Sequence, residues 1–240
     1  MSARSVTPDL FAPTKENPDM ANTLTPEFLL AGIRETRLVA IVRGTDGAVA
    51  AKAALAAMAE GFRFVEIALT TPDAIEAIRK VRAAAPAGCF VGAGTVLTVQ
   101  DVDDVAEAGG QFIVTPSLAE SIAESARRGI PVLAGAFTAS EAHEAMNRGA
   151  TAVKLFPASV VGPGYIGQLR GPFPDLPVIP SGGVSIQDAP KWIRAGALAV
   201  SLGGPLLGDA FKGGDLAALT ERAAEVTRLV ALAQNRMVDA

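Results

Sequence analysis

Lys154 is out of place in its surroundings. It lies in Ala152-Val153-Lys154-Leu155-Phe156-Pro157, a run of apolar, strand-forming residues. An ammonium has a high desolvation cost in such a run unless it is paired or neutralised. Either its head reaches solvent at a strand end or joins a structural ion pair, or the amine has chemistry to do, since burial favours the uncharged, nucleophilic form of a lysine. Two further charges are placed in the same way. Glu66 interrupts Phe64-Val65-Glu66-Ile67-Ala68-Leu69, and Arg43 ends Leu38-Val39-Ala40-Ile41-Val42. An amine, a carboxylate and a guanidinium together suit Schiff-base chemistry on a carbonyl compound. The amine of Lys154 would attack a ketone, and the iminium would serve as electron sink for cleaving the bond beta to that carbon. Glu66 would move protons, and Arg43 could hold a carboxylate with two parallel hydrogen bonds.

These residues need a scaffold that brings them together. Thr25-Pro26-Glu27 reads as a helix start, with an N-cap followed by proline. Eight short apolar runs follow, each a buried strand: Leu38–Arg43, Phe64–Leu69, Cys89–Thr95, Gln111–Thr115, Pro131–Gly135, Thr151–Phe156, Pro177–Pro180 and Leu198–Gly203. Amphipathic segments alternate with them and predict helices, among them one opened by Pro72, one from about Asp188 to Ala195 and a last from about Asp215 to Asn235. Strands apolar on both faces are parallel strands covered by helices. Eight such units predict a (β/α)₈ TIM barrel in a single domain, preceded by an N-terminal helix. A doubly wound open sheet would call for a Gly-x-Gly-x-x-Gly turn after the first strand, which is absent.

In a barrel, side chains at the C-terminal strand ends share one mouth. Period-two alternation puts Glu66 on a face with Phe64 and Ala68, and Lys154 on a face with Ala152 and Phe156. The branched apolar residues belong against the helices, so Glu66, Lys154 and Phe156 face inward. Arg43, Thr95 and Thr115 end strands one, three and four. Ser181-Gly182-Gly183 follows strand seven and Gly203-Gly204 follows strand eight. Glycines there let backbone N–H groups approach an anion, and a helix N-terminus would add to the attraction. Ordinary turn glycines are the plainer reading of either pair alone. A structural ion-pair cluster is the plainer reading of the three charges, but buried pairs often give no net stability over apolar replacements.

Composition narrows the remaining possibilities. Of 240 residues, 50% are hydrophobic and 19% charged, which favours one large core. The net charge of −4 and the lack of a basic cluster argue against a nucleic-acid binder. With a single cysteine, Cys89, and a single histidine, His143, there is no intrachain disulfide, no Cys-based zinc site and no multi-histidine metal site. Cys89 reads as core packing and His143 as an exposed helix face. No stretch is apolar enough to span a membrane, and a cytoplasmic location is expected. Residues 1 to about 22 are polar and punctuated by proline, so a disordered leader is expected before a barrel domain over residues 23–240.

At these residues the chain resembles the bacterial class I aldolases that act on 2-keto-3-deoxy-6-phospho sugar acids. The likeness spans about residues 25 to 235. It is carried by Ile41-Val42-Arg43-Gly44, Val65-Glu66-Ile67, Gly92-Ala93-Gly94-Thr95-Val96, Val114-Thr115-Pro116, Lys154-Leu155-Phe156-Pro157-Ala158 and Pro180-Ser181-Gly182-Gly183-Val184. The resemblance implies a homotrimeric barrel that needs no metal or other cofactor and takes a phosphorylated 2-keto-3-deoxy acid as substrate. It implies Lys154 as the Schiff-base lysine and Glu66 as the proton-transfer residue, working through a water. It implies Arg43 and Thr95 near the pyruvate carboxylate, and the glycine pairs around the distal phosphate. The expected products are pyruvate and glyceraldehyde 3-phosphate. Phosphogluconate-type members carry an arginine where this chain has Thr70, and Arg43 takes that role here. With Gly162-Pro163-Gly164-Tyr165-Ile166, this points to the phosphogalactonate branch. Relatives also carry serine where this chain has Pro205, which has neither hydroxyl nor N–H. The phosphogluconate or 4-hydroxy-2-oxoglutarate version of the reaction is the near alternative. A proton-shuttling epimerase or decarboxylase, or a non-catalytic sugar-phosphate-binding barrel, would be a different class.

Overall fold

The computed structural model describes residues 24–238; the expected leader lies outside them. Helix α1 (Pro26–Thr36) starts as the sequence suggests. The Thr25 hydroxyl accepts from the Phe28 N–H, Pro26 occupies the first turn, and Arg37 ends the helix in a left-handed conformation. The strands are β1 (Leu38–Val42), β2 (Phe64–Ala68), β3 (Phe90–Gly94), β4 (Ile113–Val114), β5 (Val132–Ala136), β6 (Ala152–Leu155), β7 (Val178–Pro180) and β8 (Val200–Leu202). All pair in parallel, in the order β7-β6-β5-β4-β3-β2-β1-β8. A bridge between Ser181 and Ser201 joins the two ends, so the sheet is a closed barrel. The expected (β/α)₈ architecture is the observed one.

Alternation sorts the strand residues into two cores. Val65, Ile67, Val91, Ala93, Val153 and Leu155 point outward into the larger cluster beneath the helices. Val39, Phe64, Phe112, Leu133, Ala152 and Ile179 point inward. There they meet Leu29 and Ile33 of α1, which plugs the N-terminal end of the barrel. Phe64 is the centre of this floor. Its ring stacks on Phe90 at 5.4 Å and meets Phe112 edge-on at 6.3 Å. One end of the interior is thus filled with apolar side chains, and polar inward residues are left for the other.

Two details differ from the sequence reading. Several strands end one or two residues early: β3 stops at Gly94, before Thr95, and β4 at Val114, although the Thr115 N–H still donates to the Leu133 carbonyl at 3.1 Å. Pro72 does not open a helix either. Thr71 and Pro72 form a turn, Asp73 takes φ 57°, and α3 (Ala74–Ala84) begins only afterwards. Aspartate tolerates the left-handed region, and here it separates the proline from the helix. The remaining helices relevant to the site are α2 (Gly47–Ala59), α4 (Val99–Glu107), α5 (Glu120–Arg127), α6 (Ala139–Asn147), α7 (Gly164–Arg170), α8 (Ala189–Arg194), α9 (Gly204–Leu207) and α10 (Leu216–Val238).

Phe64 is fully buried between two other rings. Phe64→Ala is therefore expected to lower unfolding free energy by about 3–5 kcal/mol, read from the midpoint of a urea titration. A loss below about 1 kcal/mol would mean that the barrel floor is not packed as described.

Candidate active site

β2 and β6 lie four strands apart in either direction around the closed sheet. Glu66 and Lys154 reach towards each other from these opposite walls. Lys154 Nζ lies 3.5 Å from Glu66 Oε1, a long contact that leaves the amine approachable. Both residues are buried, at 8% and 1% exposure. Glu66 Oε2 is buried with no hydrogen-bond partner. Burial raises the Glu66 carboxyl above its ordinary value; the charges of Lys154 and Arg43 and the lysine hydrogen bond pull it the other way. Gly94 makes the room: a Cβ there would sit 2.9 Å from Glu66 Cδ. In the sequence Gly94 stands only as part of the Gly92-Ala93-Gly94-Thr95-Val96 motif, with no role assigned to it, although it pairs with Ala68, two residues beyond Glu66.

The pair sits in a cavity of about 340 Å³ at the C-terminal end of the strands. Arg43, Thr95 and Phe156 line it, as do Ser181, Gly182, Gly183, Gly203 and Gly204. Arg43 is exposed, and its guanidinium makes no hydrogen bond or ion pair among the described residues. Thr95 has φ 61°. A β-branched residue in the left-handed region is strained, and such strain clusters where a site requires it. Phe156 lies under the amine, with Nζ 5.9 Å from the ring centroid. The Ser181 hydroxyl is buried and unpartnered beside the cavity.

Thr115 is not brought into the site. Its hydroxyl donates to the Ser117 carbonyl at 2.7 Å and accepts from the Gly135 N–H at 3.0 Å, so it holds the turn after β4 and does not line the cavity. The two glycine pairs also differ from each other. Gly182 and Gly183 have φ of 83° and 75°, and a Cβ at either would strike the Phe156 ring at 2.8 Å or Ser159 at 2.5 Å. No other residue fits there without rearrangement. A Cβ at Gly203 would meet nothing closer than 3.6 Å, and one at Gly204 nothing within 4 Å. The backbone N–H groups of all four have no acceptor among the described residues. The anticipated helix dipole contributes little. α8 starts six residues after Gly183, and α9 is a single turn.

Ser201, Leu207 and Phe211 line the cavity without having been anticipated. Alternation in β8 could have found Ser201, which shares the inner face with Gly203. Phe211 lies in a short 3₁₀ turn, Ala210–Lys212, that no periodicity announces. His143 lies outside the cavity, exposed and stacked on Phe173 at 5.5 Å. Cys89 is half-buried against the outer core. Among the described residues no group of three or more His, Cys, Asp or Glu side chains could hold a metal ion. None of the described helices is long and apolar enough to cross a membrane.

Fold and site together define a class: parallel barrels that set an amine against a carboxyl group in a cavity at the C-terminal strand ends. Comparison with known proteins gives the family. The family model for KDPG and KHG aldolase matches residues 30–222. The 2-dehydro-3-deoxy-6-phosphogalactonate aldolase of Escherichia coli (strain K12) is 39% identical over 171 residues, covering 70% of this chain and 83% of the relative. The KHG/KDPG aldolase of the same organism is 35% identical over 191 residues, covering 78% and 88%. A solved structure described as native KDPGal superposes with a TM-score of 0.77 at 35% identity, covering 82% of this chain and 96% of that one. The chain belongs to the KDPG and KHG aldolase family, whose members are carbon–carbon lyases.

The raised Glu66 carboxyl has a consequence for stability. The folded protein holds this proton more tightly than the unfolded chain, so its contribution to stability falls as pH rises from the ordinary value of 4.5 towards the raised one. Glu66→Gln removes that slope. The stability of Glu66→Gln relative to wild type is expected to grow across this window in urea titrations from about pH 4 to pH 8. Parallel stability curves would contradict the raised value.

Proposed function

We propose that the protein is a class I aldolase that cleaves 2-dehydro-3-deoxy-6-phosphogalactonate to pyruvate and glyceraldehyde 3-phosphate. The observation that carries this reading is the buried 3.5 Å approach of Lys154 Nζ to Glu66 Oε1 across the mouth of the barrel. The Lys154 amine attacks the C2 ketone, and loss of water gives an iminium. Glu66, directly or through a water, takes the proton of the C4 hydroxyl. The C3–C4 bond breaks, its electrons pass into the iminium to form an enamine, and the aldehyde leaves. Glu66 then returns a proton to C3, and hydrolysis releases pyruvate and the free lysine. A carboxyl group whose proton affinity is raised by burial is suited to both directions of transfer.

Arg43 and Thr95 hold the substrate carboxylate in this reading, and Phe156 packs against the carbon chain beside the amine. Ser181 and the N–H groups of Gly182, Gly183, Gly203 and Gly204 receive the distal phosphate. Their lack of acceptors and the unpartnered Ser181 hydroxyl support this assignment. The homotrimer implied by the resemblance belongs to the same proposal. So does a cytoplasmic site of action, because phosphate esters do not cross membranes unaided.

A specific feature keeps a second reading alive. Pro205 lines the distal end of the cavity where it can donate no hydrogen bond, which suits a smaller, non-phosphorylated substrate such as 4-hydroxy-2-oxoglutarate. Cleavage assays on the two phosphorylated epimers and on 4-hydroxy-2-oxoglutarate decide between them. The highest kcat/KM is expected for the galactonate epimer. Glu66→Gln is expected to lower kcat on it by about 10²–10⁴-fold, and Lys154→Ala to abolish turnover. Full activity in Lys154→Ala would exclude the imine mechanism. Preference for 4-hydroxy-2-oxoglutarate would favour the second reading.

A further inference from the structure

Arg43 has to be aimed, and its own strand does not do it. The β1–β2 ladder ends at Val42 and Ile67, so the Arg43–Gly44 peptide lies beyond the last strand pairing. The Gly44 N–H is nevertheless held: it donates to the hydroxyl of Thr71, 27 residues away, at 3.2 Å. Thr71 is only 2% exposed. Its own backbone is fixed on both sides, with its N–H donating to the Ala68 carbonyl at 2.9 Å and its carbonyl accepting from the Ala74 N–H at 3.2 Å. The peptide group is planar. Pinning the Gly44 N–H therefore fixes the plane that contains the Arg43 carbonyl, and with it the direction in which the Arg43 side chain leaves the strand.

The neighbouring contacts are consistent with a clamped turn. A Cβ at Gly44 would sit 2.9 Å from the Asp46 carbonyl oxygen, and one at Gly47 2.7 Å from that of Asp73. The first turn is thus pressed against the second. On its other side the Thr45 N–H donates to the Phe211 carbonyl at 2.9 Å. Thr70, by contrast, is exposed and does not line the cavity.

We propose that Thr71 is a positioning residue: its hydroxyl holds the Arg43–Gly44 peptide so that the guanidinium meets the carboxylate end of the substrate. This rests on the carboxylate role proposed for Arg43. The turn after β2 would then contribute to carboxylate binding through a neutral hydroxyl that orients the cation on β1.

A double-mutant cycle tests this, with kcat and KM measured for the 2-keto acid substrate. Thr71→Val removes the hydroxyl at constant shape. It is expected to raise KM about 10-fold while kcat stays within about two-fold, as for a lost interaction common to ground and transition states. Thr71→Ser is expected to restore KM. In an Arg43→Ala background Thr71→Val is expected to add nothing further. If valine prevents folding, Thr71→Ala takes its place in the cycle. A wild-type KM in Thr71→Val, or the same rise with and without Arg43, would overturn the proposal. An unchanged KM in Arg43→Ala alone would instead remove the carboxylate role of Arg43 and the proposal with it. A raised KM in Arg43→Ala with none in Thr71→Val would overturn only the role of Thr71.

Discussion

Setting a lysine and a glutamic acid face to face inside an apolar barrel imposes most of what the rest of the structure must satisfy. Each charged group loses hydration on burial, and mutual attraction repays that loss only with good geometry. The geometry here is loose, at 3.5 Å with one carboxyl oxygen unpartnered. Such a pair is poor as a stabilising device. It makes sense as a reactive one, where an amine must be free to attack and a carboxyl free to take and return a proton. The burial that raises the Glu66 carboxyl is supplied by the barrel wall, and Gly94 leaves the carboxyl its space.

Closing the sheet makes this arrangement possible. In an open sheet β2 and β6 would point their side chains in the same direction several strands apart. In the barrel they face each other across its interior. The floor of Phe64, Phe90 and Phe112, capped by α1, fills the other end and confines the polar residues to the mouth. The same inward alternation that packs Phe64 below therefore places Glu66 above it, two residues along one strand.

How much of this is legible in the sequence depends on the kind of signal. The eight strands, the parallel order and the inward direction of Glu66 and Lys154 follow from apolar runs and period-two alternation, which are local and strong. Thr115 illustrates the limit. A hydroxyl at a strand end has the same local pattern whether it faces a ligand or ties a turn, and only the partners at Ser117 and Gly135 decide. The roles of Gly94, Phe211 and Thr71 were missed for a related reason. Their importance lies in contacts with residues distant in sequence, on neighbouring strands and loops. The glycine pairs read alike in sequence, yet only Gly182 and Gly183 are sterically required, because Phe156 and Ser159 crowd them. The family could be recognised from the ordered set of short motifs. The distal end of the substrate could not, because Pro205 departs from the pattern where the phosphate would lie.

The central claim is that the Lys154 amine forms an imine with a 2-keto acid. The most direct test is to incubate the protein with pyruvate and borohydride and map the product by peptide mass spectrometry. A reduced pyruvyl adduct on Lys154, absent without pyruvate, is the expected result. An unmodified Lys154 in protein that remains fully active as an aldolase would contradict it.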